Sequence, residues 1–134
     1  MPNWCENELS VYGEKDDLGK FIEENKTKTQ NLSFAKAIPE SGNCEENINN
    51  WGTKWDIDEE CTLDETDKER HYFFLSAWTP PEPWLKKVIE MYPTLRFEMR
   101  YWEHGNGFIG LTIGEKGKIV SEECNDNWDG GGGE

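Results

Sequence analysis

The stretch HYFFLSAWTPPEPWLKKVIEMYPTLRFEMRYWE, residues 71–103, decides the fold because it predicts a strand, a helix and a second strand in direct succession. Its first part, residues 71–78, is rich in aromatic and aliphatic side chains, which is typical of a β-strand. Thr79 then takes the N-cap position, Pro80 the first helical position, and Glu82 the position three residues after the cap. This arrangement is a capping box and predicts a helix that starts at Pro80.

The rest of this stretch predicts an amphipathic helix and a half-buried strand. Apolar residues follow Trp84 at helical spacing until Pro93, which cannot continue a helix. Residues 95–103 then alternate between apolar and polar side chains, as in a strand with one buried face. The apolar set, which we expect to point into the core, is Leu95, Phe97, Met99 and Tyr101.

The flanking segments supply the other predicted elements. Residues 4–12 alternate like a strand with one buried face, and residues 15–26 carry apolar side chains at helical spacing. The segment LSFAKAIP, residues 32–39, predicts a second strand that ends at its proline. Turns at 104–107 and 114–117 join two further strands to the end of the chain.

The order of these elements predicts an α+β fold of the ferredoxin-like class. Its β-α-β-β-α-β unit forms an antiparallel sheet with two helices on one face. A long insertion at about 40–70 interrupts the unit, and its polar sequence predicts no regular element; an extra C-terminal β-meander extends the sheet. With 134 residues in total, we expect a single ferredoxin-like domain over 1–128 and a flexible tail over 129–134.

The strongest feature of the composition is a formal net charge of −14 at pH 7, from 28 acidic and 14 basic residues. Nucleic-acid binding depends on lysine and arginine side chains that replace counterions along the phosphates, so direct binding of DNA or RNA is not expected. A basic protein is the opposite case, because the same field attracts it. The commoner role of an acidic surface is to keep proteins in solution and apart.

The sequence favours a cytoplasmic protein that has no cofactor. No apolar run is long enough to span a membrane, and the first residues lack the basic and apolar segments of a signal peptide. In a reducing compartment we expect the four cysteines to be thiols, and no two of them have CxxC spacing. We therefore predict no metal, no cofactor and no membrane contact; zinc held through His71 or His104 is the less favoured alternative.

The loop NNWGTKWDID, residues 49–58, places two tryptophans around a Gly-Thr-Lys turn. In one interpretation Trp51 and Trp55 fold inward with Trp78 and Trp84 as an anchor, and a nearby carbonyl accepts each indole N–H. In the other interpretation the rings line a cleft in which a flat or cationic ligand stacks. The sequence favours the anchor. The candidate binding residues are Trp51, Lys54, Trp55, Asp56, Trp78 and His104.

The second half of the insertion, residues 56–69, contains eight acidic residues and one lysine. Such a run is usually a solvated face, although a mobile arm and a hairpin are consistent with the same composition. Together with acidic residues of the first strand, it is expected to present a negative surface to other molecules. The residues assigned to this surface are Glu6, Glu8, Asp58, Glu59, Glu60, Asp64 and Glu65.

Five segments distributed along the chain carry a family resemblance. They are MPNWCENELSVYG at 1–13, NWGTKWD at 50–56, AWTPPEPW at 77–84, YPTLRFEMRYWEHG at 92–105 and FIG at 108–110. In these segments the chain resembles the YubB-like ferredoxin-like domain proteins of phage and plasmid genomes. The resemblance implies a ferredoxin-like fold and an origin on a mobile element. It implies no activity, because the family has no established one.

These features favour a small acidic phage or plasmid protein that acts as a binding or inhibitor module in the cytoplasm of a host cell. Its expected partner is a basic host protein, toward which its negative surface would imitate nucleic acid. The alternative is a small-ligand-binding protein or an enzyme that uses the tryptophan-lined cleft. No catalytic residue is assigned, because the chain lacks nucleophile, phosphate-binding and metal motifs, and a histidine beside Glu103 is expected by chance.

Overall fold

The structure of the protein is a computed structural model that describes residues 4–57, 61–66, 68–103 and 107–125. Its elements in chain order are β1 (Trp4–Tyr12), α1 (Lys15–Asn25), a short 3-10 helix (Phe34–Lys36), α2 (Cys44–Trp51), β2 (Thr62–Glu65), β3 (Glu69–Ala77), α3 (Glu82–Met91), β4 (Arg96–Glu103), β5 (Phe108–Glu115) and β6 (Lys118–Asn125). No described helix is long and apolar enough to cross a membrane.

The six strands form one antiparallel sheet in the order β2-β3-β1-β4-β5-β6. α1 lies in the connection from β1 to β2, and α3 connects β3 to β4. The first four strands therefore have the β-α-β-β-α-β connectivity of a ferredoxin-like unit, and β5 and β6 extend the sheet beyond β4 as a meander. The predicted fold class is confirmed.

The two faces of the sheet differ in what packs on them. On the covered face, the ring of Phe21 in α1 lies 6.0 Å from that of Tyr72 and 5.5 Å from that of Phe97. On the same face, Ile89 of α3 packs against Gly114 of β5, where no side chain keeps the helix away. The opposite face, called the open face below, carries the side chains that alternate with this core, and most of them are half-buried or exposed.

The prediction of a second strand at 32–39 is wrong. This segment enters the core through Phe34 but forms a 3-10 helix. The reason is the carboxylate of Asp56, which accepts hydrogen bonds from the backbone N–H groups of Phe34 at 2.8 Å and Ala35 at 3.2 Å. Because a side chain from another loop pairs these N–H groups, they are not available to a neighbouring strand.

The insertion predicted at about 40–70 contains two regular elements. The helix α2 begins after Asn43, whose side chain accepts hydrogen bonds from the N–H groups of Glu45 and Glu46. It ends at Gly52, which has the left-handed φ of 94° that glycine adopts without strain. The strand β2 pairs with β3 and supplies the second strand of the ferredoxin-like unit. Part of the acidic run 56–69 is therefore a hairpin, which was one of the alternatives.

The capping box predicted at Thr79 is also wrong. The helix α3 begins at Glu82 after Pro81, which has no side chain able to cap it, and Thr79 Oγ1 donates instead to the carbonyl of Gly52. A tight turn centred on Trp78, with φ of 70°, separates the end of β3 from the helix. The helix α3 begins later than the predicted Pro80, because the chain first makes this turn and passes the end of α2.

Two predictions fall on parts of the chain that the structure does not describe. The predicted domain limit at 128 and the tail at 129–134 lie beyond Asn125, and residues 104–106 of the predicted turn are also outside the described ranges. The buried apolar side chains of the described elements form one core cluster.

Candidate functional site

Trp51 is the buried anchor of the loop 49–58. It is fully buried, its Nε1–H donates to the carbonyl of Ile38 at 2.8 Å, and its ring lies 5.9 Å from that of Phe34. Trp84 of α3 packs on the same phenylalanine at 5.1 Å. Both tryptophans belong to the main core and not to a separate cluster. The expectation that each indole finds a carbonyl holds for Trp51 but is wrong for Trp55 and Trp84, whose Nε1–H groups have no hydrogen-bond partner among the described residues.

The carboxylate of Asp56 accepts hydrogen bonds from neighbouring groups of the fold. Its carboxylate accepts from the hydroxyl of Ser33 at 2.5 Å, from the N–H groups of Phe34 and Ala35, and from the N–H of the following residue at 2.8 Å. A carboxylate has about four acceptor positions, so these donors leave little capacity for a ligand. His104, which was predicted beside it, lies outside the described residues.

Lys54, Trp55 and Trp78 lie together at the end of the sheet where β1 begins. The ammonium of Lys54 is 5.3 Å from the ring centroid of Trp78, which is a cation–π contact, and Trp55 meets Trp4 edge to face at 6.3 Å. The hydroxyl of Thr53 fixes the loop by donating to the last carbonyl of β3 at 2.9 Å. The predicted binding residues therefore divide between a buried anchor, a structural carboxylate and this surface group.

An apolar band that the sequence analysis did not predict crosses the open face. Phe73 of β3 and Trp102 of β4 approach each other across β1, with ring centroids 6.5 Å apart. Beside Trp102, Ile109 and Leu111 of β5 line an open hollow of about 350 Å³, whose lining also includes the charged residues Arg100 and Glu123. Phe73 is 36% exposed. Apolar patches with a polar surround mark interaction sites on protein surfaces.

Carboxylates surround this apolar band. Glu8 pairs in register with Phe73 and Glu6 with Trp102, so both glutamates lie on the open face next to these aromatic residues. Among the described residues, the strand registers place these charged side chains on the open face: Glu6, Glu8, Asp64, Glu69, Glu98, Glu115 and Glu123, with Arg96, Arg100 and Lys118. The open face is therefore apolar near its centre and mainly acidic around it.

The predicted acidic surface is only partly assembled on this face. Glu6, Glu8 and Asp64 share the open face, on β1 and β2. Glu65 lies on the covered face, where its carboxylate is 3.2 Å from the guanidinium of Arg70. The predicted residues outside the described ranges are Asp58, Glu59 and Glu60. Among the residues that the structure describes, strand residues supply the acidic character of the open face.

A chain of hydrogen bonds on the open face has the connectivity of a hydrolase triad. Ser10 Oγ lies 2.8 Å from His71 Nδ1, and His71 Nε2 lies 2.9 Å from Glu69 Oε1. Acyl transfer also needs backbone N–H groups that are not already paired and can donate to the developing oxyanion. Ser10 is 7% exposed and lies within β1, which pairs with β3 on one side and β4 on the other. We therefore assign these residues a structural role that joins β1 to β3.

A second hollow, of about 450 Å³, lies on the covered side of the sheet next to α2 and α3. Its lining includes Ile48, Pro80, Pro83, Tyr101, Phe108 and Cys124. Glu82 also lines it and accepts a hydrogen bond from Thr112 Oγ1 at 3.0 Å. Burial raises the pKa of Glu82, the Thr112 hydrogen bond opposes this shift, and the charge of Glu122 adds to it. A carboxylate in such an apolar groove is stabilised by a nearby cation.

The four cysteines divide into two buried and two exposed thiols, which gives a testable prediction. Burial raises the pKa of Cys5 and Cys61 to about 12, whereas Cys44 and Cys124 are exposed. Because the thiolate is the reactive form, we expect a chromogenic disulfide reagent to titrate the two exposed thiols in the folded chain and all four in denaturant. The control is Cys44→Ser with Cys124→Ser, which should show no fast reaction when folded. Fast labelling of that variant would contradict the prediction.

The fold and this face define a class, namely a ferredoxin-like α+β protein whose open sheet face carries an apolar hollow. More specifically, the chain belongs to the family of the ferredoxin-like domain in Api92-like protein, whose family model matches residues 50–130. The predicted membership of a ferredoxin-like family is confirmed in this broader form. The YubB-like assignment and the origin on a phage or plasmid stay predictions.

Comparison with known proteins supports the fold. The chain is similar to the crystal structure of a protein api92 from Yersinia pseudotuberculosis, with a TM-score of 0.74 and 8% sequence identity. The similarity covers 92% of this chain and 98% of that chain. At this identity, the likeness shows the fold alone. No curated protein matches the sequence.

The apolar residues of the open face left a signal in the sequence. Residues 71–78 and 108–113 are apolar at successive positions and not only at alternate ones. Since successive side chains of a strand point to opposite faces, such runs place apolar groups on both faces of a sheet. The pattern was sufficient to predict the strands, but the exposure of the second face depends on where the helices pack.

Proposed function

We propose that this protein is a binding module that occupies a basic partner protein through the open face of its sheet and carries out no chemistry of its own. The observation that supports the proposal is the combination of an apolar hollow with adjacent carboxylates. Trp102, Ile109 and Leu111 line the hollow, together with Arg100 and Glu123. Glu6 and Glu8 of β1 pair in register with two of its lining residues, Trp102 and Arg100. A buried aromatic contact supplies affinity, and complementary charge supplies specificity and speed of association.

The chemistry of the open face selects the class of partner. The net charge of −14 and the glutamates of β1 on this face oppose binding of a nucleic acid. They also oppose a second copy of the chain, which would bring like charges together. A protein segment that presents basic side chains around an apolar one satisfies both parts of the face.

We further propose that the chain is a YubB-like protein of a phage or plasmid and that it acts in the cytoplasm of a host cell. There it acts as an inhibitor of a basic host protein. The five segments of family resemblance support this origin. The excess of negative charge supports imitation of nucleic acid at the basic site of that partner.

Affinity capture from a host-cell lysate tests the proposal with four immobilised chains. These are the wild type, Trp102→Ala, Glu6→Gln with Glu8→Gln, and the control Glu46→Gln with Glu90→Gln. The control removes the same number of charges from exposed positions on α2 and α3. We expect the wild type and the control to retain the same basic protein and both open-face variants to lose it.

Salt dependence provides a second readout of the same capture. Retention should fall as ionic strength rises from about 0.05 to about 0.3 M, because exposed charges are screened over shorter distances at higher salt. If all four chains retain the basic protein equally, the open face is not the surface that binds it. Retention of only neutral or acidic proteins, or of none at low salt, would overturn the choice of partner class.

A further inference from the structure

We infer that the partner segment joins the sheet as an added β-strand along the outer edge of β6, with which no other described strand pairs, and that two adjacent basic residues with apolar neighbours form its centre. This inference rests on the proposed function and deepens it by naming the edge and the conformation of the bound segment. Three observations carry it: this outer edge, a hollow on each face of the sheet beside it, and the charges along it.

β6 is the longer edge strand of the described sheet, with eight residues against four in β2. It pairs with β5 on one side, so outward-facing N–H and C=O groups line its other side. A register shift leaves Val120 without a partner, and this residue is 50% exposed. The regular ladder beyond it, from Ser121 to Cys124, is the part of the edge to which an extended peptide can add.

An apolar hollow lies on each face of the sheet beside residues 121–125. Trp102 lines the hollow of about 350 Å³ on the open face, and Tyr101 and Phe108 line the hollow of about 450 Å³ on the covered face. Cys124 of β6 borders both. Because successive side chains of a strand point to opposite faces, a strand added here directs alternate side chains toward the two hollows.

The charges along the edge select a basic strand. Glu122 and Glu123 are exposed, and the register places them on opposite faces of β6. Glu82 adds a third carboxylate in the covered-face hollow, whereas Arg100 places one cation in the open-face hollow, so carboxylates predominate. Pairing of β6 with a second copy would bring these glutamates close to one another, which is unfavourable. Two consecutive basic residues on an added strand instead face one glutamate on each side of the sheet.

A synthetic peptide tests the inference. The peptide acetyl-Thr-Leu-Val-Arg-Arg-Val-Thr-amide is titrated into the full chain and followed by tryptophan fluorescence and backbone amide NMR. We expect saturable binding with the largest chemical-shift changes at residues 121–125. Replacement of both arginines by glutamate should abolish binding. Absence of binding by the arginine peptide at about 1 mM would overturn the inference.

Two N-methylated peptides distinguish strand addition from side-chain contact alone. One carries methyl groups on alternate residues along one edge, and the other carries them along the opposite edge. Only one edge of an added strand bonds to β6, so one peptide should lose binding and the other should keep it. If both peptides bind equally while Trp102→Ala still weakens capture of the partner, strand addition is wrong and the proposed function stands.

Matched variants of the chain test the role of charge. Glu122→Gln with Glu123→Gln should weaken peptide binding about three- to tenfold, because two exposed charge pairs are lost. The control Glu46→Gln with Glu90→Gln should leave the affinity unchanged. Equal effects of the two double variants would show that overall charge and not this edge attracts the peptide, and would overturn the inference.

Two other occupants of the edge have distinct outcomes in the same experiments. If a chain that ends at Asn125 binds the peptide and the full chain does not, the occupant is the chain's own segment 126–134. If the free chain is a dimer that the peptide dissociates, the occupant is a second copy. Either result would overturn the assignment of the edge to a partner protein.

Discussion

Trp51→Ala is expected to lower the free energy of unfolding by about 3–5 kcal/mol, the range for truncation of a buried aromatic side chain. The substitution leaves a cavity beside Phe34 and removes the donor to the carbonyl of Ile38. Trp55→Ala is the matched control, since Trp55 is half-buried and packs edge to face on Trp4. Its expected effect is about 1–2 kcal/mol. Urea unfolding followed by circular dichroism measures both values.

The same comparison decides between the two interpretations of the tryptophan loop. A large effect for Trp51→Ala and a small one for Trp55→Ala would support the anchor at Trp51 and contradict it at Trp55, which the sequence placed in the same anchor. An effect below about 1 kcal/mol for Trp51→Ala would place that ring outside the core and would contradict the packing described here. A side chain at Gly52, the residue after Trp51, would also disturb the anchor, because its Cβ would lie 2.6 Å from Pro83 Cδ.

Asp56→Ala is expected to lower the free energy of unfolding by about 3–5 kcal/mol, because it removes the acceptor of several hydrogen bonds at once. The N–H groups of Phe34 and Ala35 and the hydroxyl of Ser33 would lose their partner. Each unsatisfied buried donor costs about 1–3 kcal/mol, and partial access of water reduces the sum. Urea unfolding measures the change, and amide hydrogen exchange at Phe34 should accelerate in the variant.

Asp64→Ala is the matched control for this carboxylate. Asp64 is exposed on β2, and its replacement is expected to change the free energy of unfolding by no more than about 0.5 kcal/mol. Asp56→Asn should fall between the two alanine variants, since an amide oxygen still accepts some of the hydrogen bonds. A neutral effect of Asp56→Ala would show that water replaces the carboxylate, and the structural role assigned to it would be wrong.

Strong local periodicity made much of the fold predictable. The alternation in 4–12 and 95–103, and the apolar stripe after Trp84, identified β1, β4 and α3 within a residue or two. β2 was not predictable in this way, because Thr-Leu-Asp-Glu contains a single apolar residue and its strand pairing comes from β3. The helix α2 did leave local signals, with Asn43 as its N-cap and Gly52 at its C-terminal end, but its polar surface hid them.

The site was less predictable than the fold, because it depends on contacts between distant segments. The segment 32–39 has the composition of a strand, yet the carboxylate of Asp56 pairs with its backbone N–H groups, and the segment forms a 3-10 helix. The sequence also identified Glu6 and Glu8 as acidic positions of the first strand. It did not show that Phe73 and Trp102 approach each other above them, because that proximity follows from the strand order.

The central position of β1 has a consequence for how the chain folds. β1 lies between β3 and β4 in the sheet, and both of these strands come much later in the sequence. The middle of the sheet therefore cannot be completed early. Such distant pairings make the contact order high and place folding in the range of milliseconds to seconds. During synthesis, the edge of β1 that faces β3 therefore stays unpaired until residues 69–77 have left the ribosome, and the edge that faces β4 until residues 96–103 have, so chaperones have time to act.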